Sequence, residues 1–361
     1  MDAGRKRSNP SESHREISTE TVYPRGVAGA VKAVASESKT LTRKTPGATW
    51  LRRAGLAALG ALGSLTVLLG VASIPLSGLL IRPRLKRMAQ LKSGHLRALI
   101  KRVGIALEDV AITSFDGTKL CGWWMATAKD SPTVVVLHGV KKNRTDVLRT
   151  SLALRQAGLN VLVLDGRAHG GSEGRYVTYG FYETRDVESA VEWLIGAKGV
   201  AGDSIGLAGE SMGAAIALQV AALDNRIKAV WADSPFASLE RVTSEFLHKV
   251  THIPGPMLGP VLWTAIQVAN YRGKFDVKTV NPLSLAREIK CAVYLVHGTA
   301  DQLISANHSE KIYEALAGAK DLWMVDGAQH ARAIRRERRE YVERITGFFK
   351  ARLSKTDRVQ L

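Results

Sequence analysis

Residues 209–213 read Gly-Glu-Ser-Met-Gly, a G-x-S-x-G turn set between the apolar run 204–208 and the small-residue run 214–218. A short buried strand, this turn and a helix, in that order, force the central serine into a strained conformation with its hydroxyl exposed at the strand end. Gly209 and Gly213 suit the turn because a side chain at either would collide with the neighbouring strand or helix. A hydroxyl so placed is suited to nucleophilic attack on a carbonyl carbon, provided a base can take its proton. Ser211 is the candidate nucleophile.

The base and its orienting acid are expected downstream, in the order serine, acid, histidine. Residues 292–296 read as a buried strand leading into His297-Gly298-Thr299-Ala300-Asp301, which puts Asp301 on the loop after it. Residues 322–325 read as the next strand and lead into Asp326-Gly327-Ala328-Gln329-His330. His330 is the candidate general base, and Asp301 the group that fixes its tautomer and stabilises the imidazolium. Asp326 is read as a turn residue, His308 as a weaker candidate base on the next helix, and His297 as a structural strand-end histidine. Two backbone amides are expected to hold the oxyanion: Met212 N–H, next to the nucleophile, and Val140 N–H, on the loop after the strand 133–137. His138, at the start of that loop, is read as its anchor.

Four landmarks carry a resemblance to the α/β-hydrolase superfamily, nearest its serine aminopeptidase-like and acyl-hydrolase-like branch. They are Leu137-His138-Gly139, the stretch 165–172 (Asp-Gly-Arg-Ala-His-Gly-Gly-Ser), the 209–213 turn, and 297–301 with His330. The resemblance covers about residues 105–353. It implies a mostly parallel eight-stranded sheet with helices on both faces, a small helical cap from the insert 236–290, and a carboxylesterase or acyl-hydrolase type of serine hydrolase. It implies that Asp165, Arg167 and His169 knit their loop together by hydrogen bonds and a charge pair. Ala168 stands where relatives often carry glycine. Within the cap, Leu239, Val242, Phe246, Leu247 and Val250 recur near helical spacing, and a second apolar helix is expected over about 257–268. These faces either pack on the body or line an acyl pocket.

The element pattern agrees. Strands near 110–115 and 119–126, joined at Asp116-Gly117-Thr118, open a strand and helix alternation that argues for a mostly parallel sheet. Cys121 on the second strand and Cys291 at the start of the seventh are expected to be unpaired, small buried hydrophobes. No His/Cys cluster has zinc spacing and no phosphate-cradling loop is present, so no metal and no cofactor are expected.

Residues 54–81 contain no charged residue. Twenty-eight uncharged residues exceed the roughly 20 needed to cross a bilayer as a helix. Gly60, Gly63 and Gly70 disfavour a water-exposed helix and are common where membrane helices pack closely. A transmembrane helix at 54–81 is therefore expected. A cleaved segment and a buried or hairpin helix are the rivals. Residues 1–53 read as a disordered basic tail, 82–104 as a basic juxtamembrane linker, 105–353 as the hydrolase domain and 354–361 as a C-terminal tail.

The net charge of +18 sits on the appendages: residues 82–102 carry eight basic residues and no acidic one. Basic residues beside an apolar span attract anionic lipid headgroups, whereas a nucleic-acid reader needs its basic patch on the folded surface. Membrane is thus the expected partner, with a small-molecule or lipid-like acyl substrate and no nucleic acid. The excess on the C-terminal side leans toward a cytoplasmic domain on a single-pass protein. Ester or thioester cleavage is the leading reading, a serine peptidase the alternative, and a non-catalytic membrane scaffold a third.

Overall fold

Strands with apolar residues at every position need cover on both faces, and such strands form the centre of this protein. The structure, a computed structural model, describes residues 46–82, 104–252 and 255–354. In chain order the elements are α1 (Pro46–Ile81), β1 (Glu108–Thr113), β2 (Lys119–Met125), β3 (Thr133–Leu137), α2 (Leu148–Gln156), β4 (Asn160–Leu164), α3 (Glu183–Lys198), β5 (Ile205–Glu210), α4 (Met212–Leu223) and β6 (Ile227–Asp233). They continue with α5 (Leu239–Thr251), α6 (Gly255–Gly273), α7 (Pro282–Leu285), β7 (Ala292–Gly298), α8 (Asn307–Ala315), β8 (Lys320–Val325), α9 (Ala333–Arg336) and α10 (Arg338–Leu353). The chain divides into two units, Met1–Gly60 and Ala61–Leu361.

The sheet has eight strands in the order β1-β2-β4-β3-β5-β6-β7-β8. β1 pairs antiparallel with β2, and β2 with β4; every later pairing is parallel. β3, β4 and β5 are buried along their whole length, as expected of strands covered by helices on both sides. One face packs against α3 and α4, where Val187, Val191, Leu194, Ile216 and Leu218 join the core. The other packs against α2 and α10, with Leu152, Leu154, Ile345 and Phe349. There the Trp231 indole N–H donates to Tyr341 OH at 2.9 Å, so two large buried rings are fixed without an orphaned polar atom.

α4 follows β5 directly and is almost wholly buried. Its first residues are Met-Gly-Ala-Ala, small enough for the helix to lie against the sheet. A Cβ on Gly213 would stand 2.4 Å from Leu137 O, and one on Gly209 would stand 2.2 Å from Gly213 O. Ala168 has φ 60°, the left-handed conformation that glycine adopts at no cost, which fits the glycine that the resemblance implies there.

Several expectations are corrected here. Residues 46–53, read as tail, form the opening turns of α1. The far end of α1, read as part of a membrane span, packs on the folded domain: Ile81 is fully buried, and Ser73 and Ser77 are buried with it. Among the described residues no helix is long and apolar enough to cross a membrane, so a spanning helix gains no support. Leu62, Leu65, Leu68 and Leu69, inside the uncharged stretch, are not among the side chains described. The linker positions 83–103, the tail positions 1–45 and 355–361, and residues 253–254 of the cap lie outside the described residues. Cys121 and Cys291 are unpaired but half-buried rather than fully buried.

The close approach at Gly213 gives a direct stability test. The three atoms facing its missing Cβ are backbone of Leu137 and His138, which cannot rotate away. Gly213→Ala should lower unfolding stability by about 1–3 kcal/mol, measured by urea denaturation. A midpoint equal to wild type would show that the helix–strand approach is looser than described.

Candidate active site

Ser211 sits between β5 and α4 with φ 53° and ψ −114°. A non-glycine residue there stores on the order of 1–3 kcal/mol of backbone strain. Its neighbours hold it in place: Ser211 N–H donates to Asp233 O at 2.7 Å, and Ala215 N–H donates to Ser211 O at 3.1 Å. The side chain is thereby turned to the strand end, where it meets a histidine.

His330 Nε2 lies 2.8 Å from Ser211 Oγ, and its Nδ1 lies 2.7 Å from Asp301 Oδ2. The carboxylate accepts, so Nδ1 carries the proton and Nε2 is free to accept from the serine hydroxyl. Asp301 is buried, which would raise its pKa, but hydrogen bonds from His297 and His330 and the amide of Ile304 outweigh burial and hold it below the usual carboxylate range. Its Oδ1 accepts from Leu303 N–H at 2.8 Å and Ile304 N–H at 3.0 Å. Sequence spacing thus selected three residues from β5, β7 and β8 that the fold joins in one hydrogen-bonded series.

The amide of Met212 opens α4, so it has no acceptor within the helix. Met212 and Val140 both line the cavity beside Ser211 and His330. His138 does not face the serine. It is fully buried, its Nδ1 lies 2.8 Å from Gly139 O, and its Nε2 accepts from Gly166 N–H at 3.0 Å. Burial pushes its pKa down to about 4, which keeps it neutral as a brace for the loop that carries Val140. Asp165 and Arg167 belong to separate pairs. Asp165 accepts from Arg144 N–H and Gly171 N–H at 2.7 and 2.8 Å, while the Arg167 guanidinium grips Asp186 at 2.6 Å and Asp116 at 3.1 Å. The expected charge pair is real for Arg167, but its partners come from other elements.

Three interactions escaped the sequence reading: the approach of His297, read as structural, to Asp301, and the roles of Ser234 and Lys142. His297 Nε2 lies 3.2 Å from Asp301 Oδ2, while its Nδ1 lies 2.7 Å from Ser309 Oγ. Two imidazoles therefore converge on one carboxylate; the four-residue spacing of 297 and 301 was the available signal. Ser234, also with positive φ, accepts from Ala331 N–H at 3.1 Å and so pins the residue after His330. Its hydroxyl donates to Asp233 Oδ1 at 2.9 Å. Lys142 Nζ pairs with Glu210, the elbow's second residue, at 2.9 Å. His308 is no rival base: it accepts from Ala237 N–H and its other nitrogen meets Glu245 at 2.8 Å. Asp326 accepts from Thr299 Oγ1 in the turn. Among the described residues no cluster of three His, Cys, Asp or Glu side chains is arranged as a metal site.

A cavity of about 430 Å³ opens over Ser211 and His330. The five α5 residues at helical spacing, Leu239, Val242, Phe246, Leu247 and Val250, all line it, and Leu239 and Val242 also pack in the cluster with Phe236 and Ile266. From α6 come Leu262, Ala265 and Ile266. Among the described residues the lining carries no carboxylate.

The fold and this hydrogen-bonded series define an α/β-hydrolase of the serine hydrolase class. The chain belongs to the prolyl oligopeptidase family (Peptidase_S9), which residues 146–356 match. It is 30% identical over 243 residues to the uncharacterized protein YqkD of Bacillus subtilis, spanning 66% of this chain and 77% of that protein. Among solved structures it is similar to the Pyrococcus furiosus esterase Pf2001, with 29% identity, a TM-score of 0.60, and coverage of 71% of this chain and 94% of that one. An acylaminoacyl peptidase of Pyrococcus horikoshii, 18% identical with a TM-score of 0.56, covers 70% of this chain with 43% of its own and shares the fold.

Asp233 supplies a pH test. Complete burial and the nearby Glu210 charge raise its pKa to about 6 against hydrogen bonding from Ser234. A carboxyl with a raised folded-state pKa contributes full stability below its unfolded pKa and loses it as pH rises through the folded value. Wild type should therefore lose stability relative to Asp233→Asn between about pH 4 and pH 6–7, by on the order of 3 kcal/mol at most. Parallel stability curves for the two proteins across that range would contradict it.

Proposed function

We propose that this serine hydrolase cleaves a carboxylic ester or thioester whose acyl part is apolar. The observation that carries the reading is the cavity over Ser211, walled by aliphatic and aromatic side chains and free of carboxylates among the described residues. An apolar acyl chain gains free energy on entering such a space, while the scissile carbonyl meets Ser211 and His330.

The chemistry follows from the hydrogen bonds. His330 Nε2 takes the Ser211 proton as Oγ adds to the carbonyl carbon, and Asp301 balances the imidazolium that forms. The amides of Met212 and Val140 hold the negative oxygen of the tetrahedral intermediate. When the C–O or C–S bond breaks, His330 returns the proton to the leaving alcohol or thiol, and an acyl-Ser211 ester remains. Water then attacks that ester, giving its proton to His330, and the acid is released as Ser211 regains its hydroxyl.

A second reading, peptide amide cleavage, is favoured by the family match. The same steps would serve, with an amine leaving. An aminopeptidase also needs a carboxylate to hold the substrate's free α-amine, and the cavity lining carries none among the described residues.

We further propose that α1 holds the protein at a lipid surface. Support comes from the uncharged stretch 54–81, from the exposure of Leu56, Leu59, Val67 and Val71 along it, and from Arg52 and Arg53 at its start. With the last turns packed on the domain, residues 54–72 are left for the lipid. Alkaline carbonate washing of membranes tests this: release of the full chain into the supernatant would rule out an embedded helix.

The catalytic reading is tested by fluorophosphonate labelling and ester hydrolysis. Ser211→Ala should abolish labelling and lower turnover by about 10⁶-fold, and His330→Ala should do nearly the same. Asp301→Asn should lose about 10⁴-fold by stabilising the wrong tautomer. Robust turnover in His330→Ala would move the base elsewhere. A dipeptide amide with a free amino group cleaved faster than a matched ester would favour the peptidase.

A further inference from the structure

The cavity has a third wall that belongs neither to the sheet domain's loops nor to the cap helices. Leu76, Leu79 and Leu80, in the last two turns of α1, line it together with residues of α5 and α6, Leu79 at its exposed rim. Those turns are not loosely laid there. Ser73 Oγ lies 2.5 Å from Thr264 Oγ1 of α6. Arg272 Nη1, at the other end of α6, donates to Ile74 O at 3.2 Å and to Ser77 Oγ at 3.0 Å. On the side of the domain body, Tyr179 OH donates to Leu80 O at 2.8 Å and Val177 N–H donates to Ile81 O at 2.9 Å. Ile81 is buried in a cluster with Phe236, Leu239, Ile266 and Phe275.

These bonds serve the helix's own chemistry as well. The last carbonyls of a helix have no donor within it, and here Leu80 and Ile81 accept from Tyr179 and Val177, while Arg272 adds a bond to the carbonyl of Ile74 one turn earlier. The C-terminal end of α1 is thus capped by the catalytic domain and cannot leave without exposing both the carbonyls and Ile81. Tyr179, which makes one of these bonds, itself lines the cavity.

We infer that the end of α1 is a specificity-determining part of the acyl site, and that the substrate's acyl group is a long apolar chain whose far end lies against Leu76, Leu79 and Leu80. The inference rests on the ester or thioester reading above. A cavity of about 430 Å³ falls in the usual range for ligand sites. A methylene is similar in bulk to a water, about 30 Å³, so the space holds on the order of a dozen carbons. Each methylene removed from water strengthens binding about fourfold, so selectivity should climb with chain length until the α1 wall is reached. The N-terminal helix then has two uses in one element: its outer residues are apolar and exposed, and its last turns form substrate-contacting wall.

The test is a series of p-nitrophenyl esters from butanoyl to hexadecanoyl, hydrolysed by the full chain in detergent. In wild type kcat/KM should rise with length to about dodecanoyl and then level or fall. Leu76→Trp and Leu80→Trp, which fill the far end, should cut the dodecanoyl-to-butanoyl ratio at least tenfold. Leu76→Ala, which lengthens the cavity, should move the preferred chain to longer esters and guards against a tryptophan variant that fails to fold. Ile74→Trp, on the same turn but with its side chain exposed, should change the ratio less than twofold. An unchanged ratio in Leu76→Trp and an unchanged optimum in Leu76→Ala, in proteins that still label with fluorophosphonate, would overturn the role of α1 while leaving the esterase reading intact. A wild type that labels but hydrolyses no ester of the series would overturn that reading, and this inference with it.

Discussion

One backbone angle organises the site. Ser211 at φ 53° is tenable only because β5 is locked on both sides by β3 and β6 and because α4 begins at the next residue. Asp233 O holds the Ser211 amide, and the absence of side chains at Gly209 and Gly213 lets helix and strand backbones approach. Strain at a functional residue persists where its surroundings over-determine it. The surroundings here are the most thoroughly buried strands of the protein, so the stability of the core and the aim of the hydroxyl are one property.

Around that turn the polar groups are arranged to fix states rather than to add stability. Asp301 receives two imidazoles and two amides, which commits it to the charged form and His330 to one tautomer. Asp233, one strand away, receives only Ser234 on one oxygen, and burial leaves it prone to stay protonated. Two carboxylates at neighbouring strand ends are thus held in different states by the number of donors each meets, since in a buried site each unmade hydrogen bond costs the charged form most.

The substrate side is governed by a different force. α5 and α6 present apolar faces toward Ser211 rather than toward the sheet, and α1 closes the remaining side with Leu76, Leu79 and Leu80. The exposed rim, with Phe246, Val250 and Trp263 on the cap, continues that apolar surface outward. An element whose uncharged length suggests lipid contact is, at its end, bonded to the catalytic domain through Arg272, Tyr179 and Val177. In the proposed reading, position at a lipid surface and shape of the pocket are coupled through one helix.

The sequence by itself determined the elbow, because a G-x-S-x-G turn between an apolar run and a small-residue helix is a local pattern with few backbone solutions. It also determined the choice of Asp301 and His330, since both fall at the ends of apolar runs that must be parallel strands and therefore end on the same edge of the sheet. The two faces of α5 were legible in its spacing, but that the apolar one lines the cavity was not, because periodicity gives amphipathicity without naming what covers it. Ser234 and Lys142 were not legible either: each acts across strands, on the residue after His330 and on Glu210, and such pairings exist only once the strand order is set; for His297 the structural role was legible but its approach to Asp301 was not. The fate of residues 54–81 shows the limit most clearly. Uncharged length reads as one segment, yet the tertiary structure divides it, leaving its first part exposed and burying Ser73, Ser77 and Ile81 against the cap and body. Hydrophobicity records what a segment avoids, and only packing decides whether lipid, a partner helix or a substrate takes the place of water.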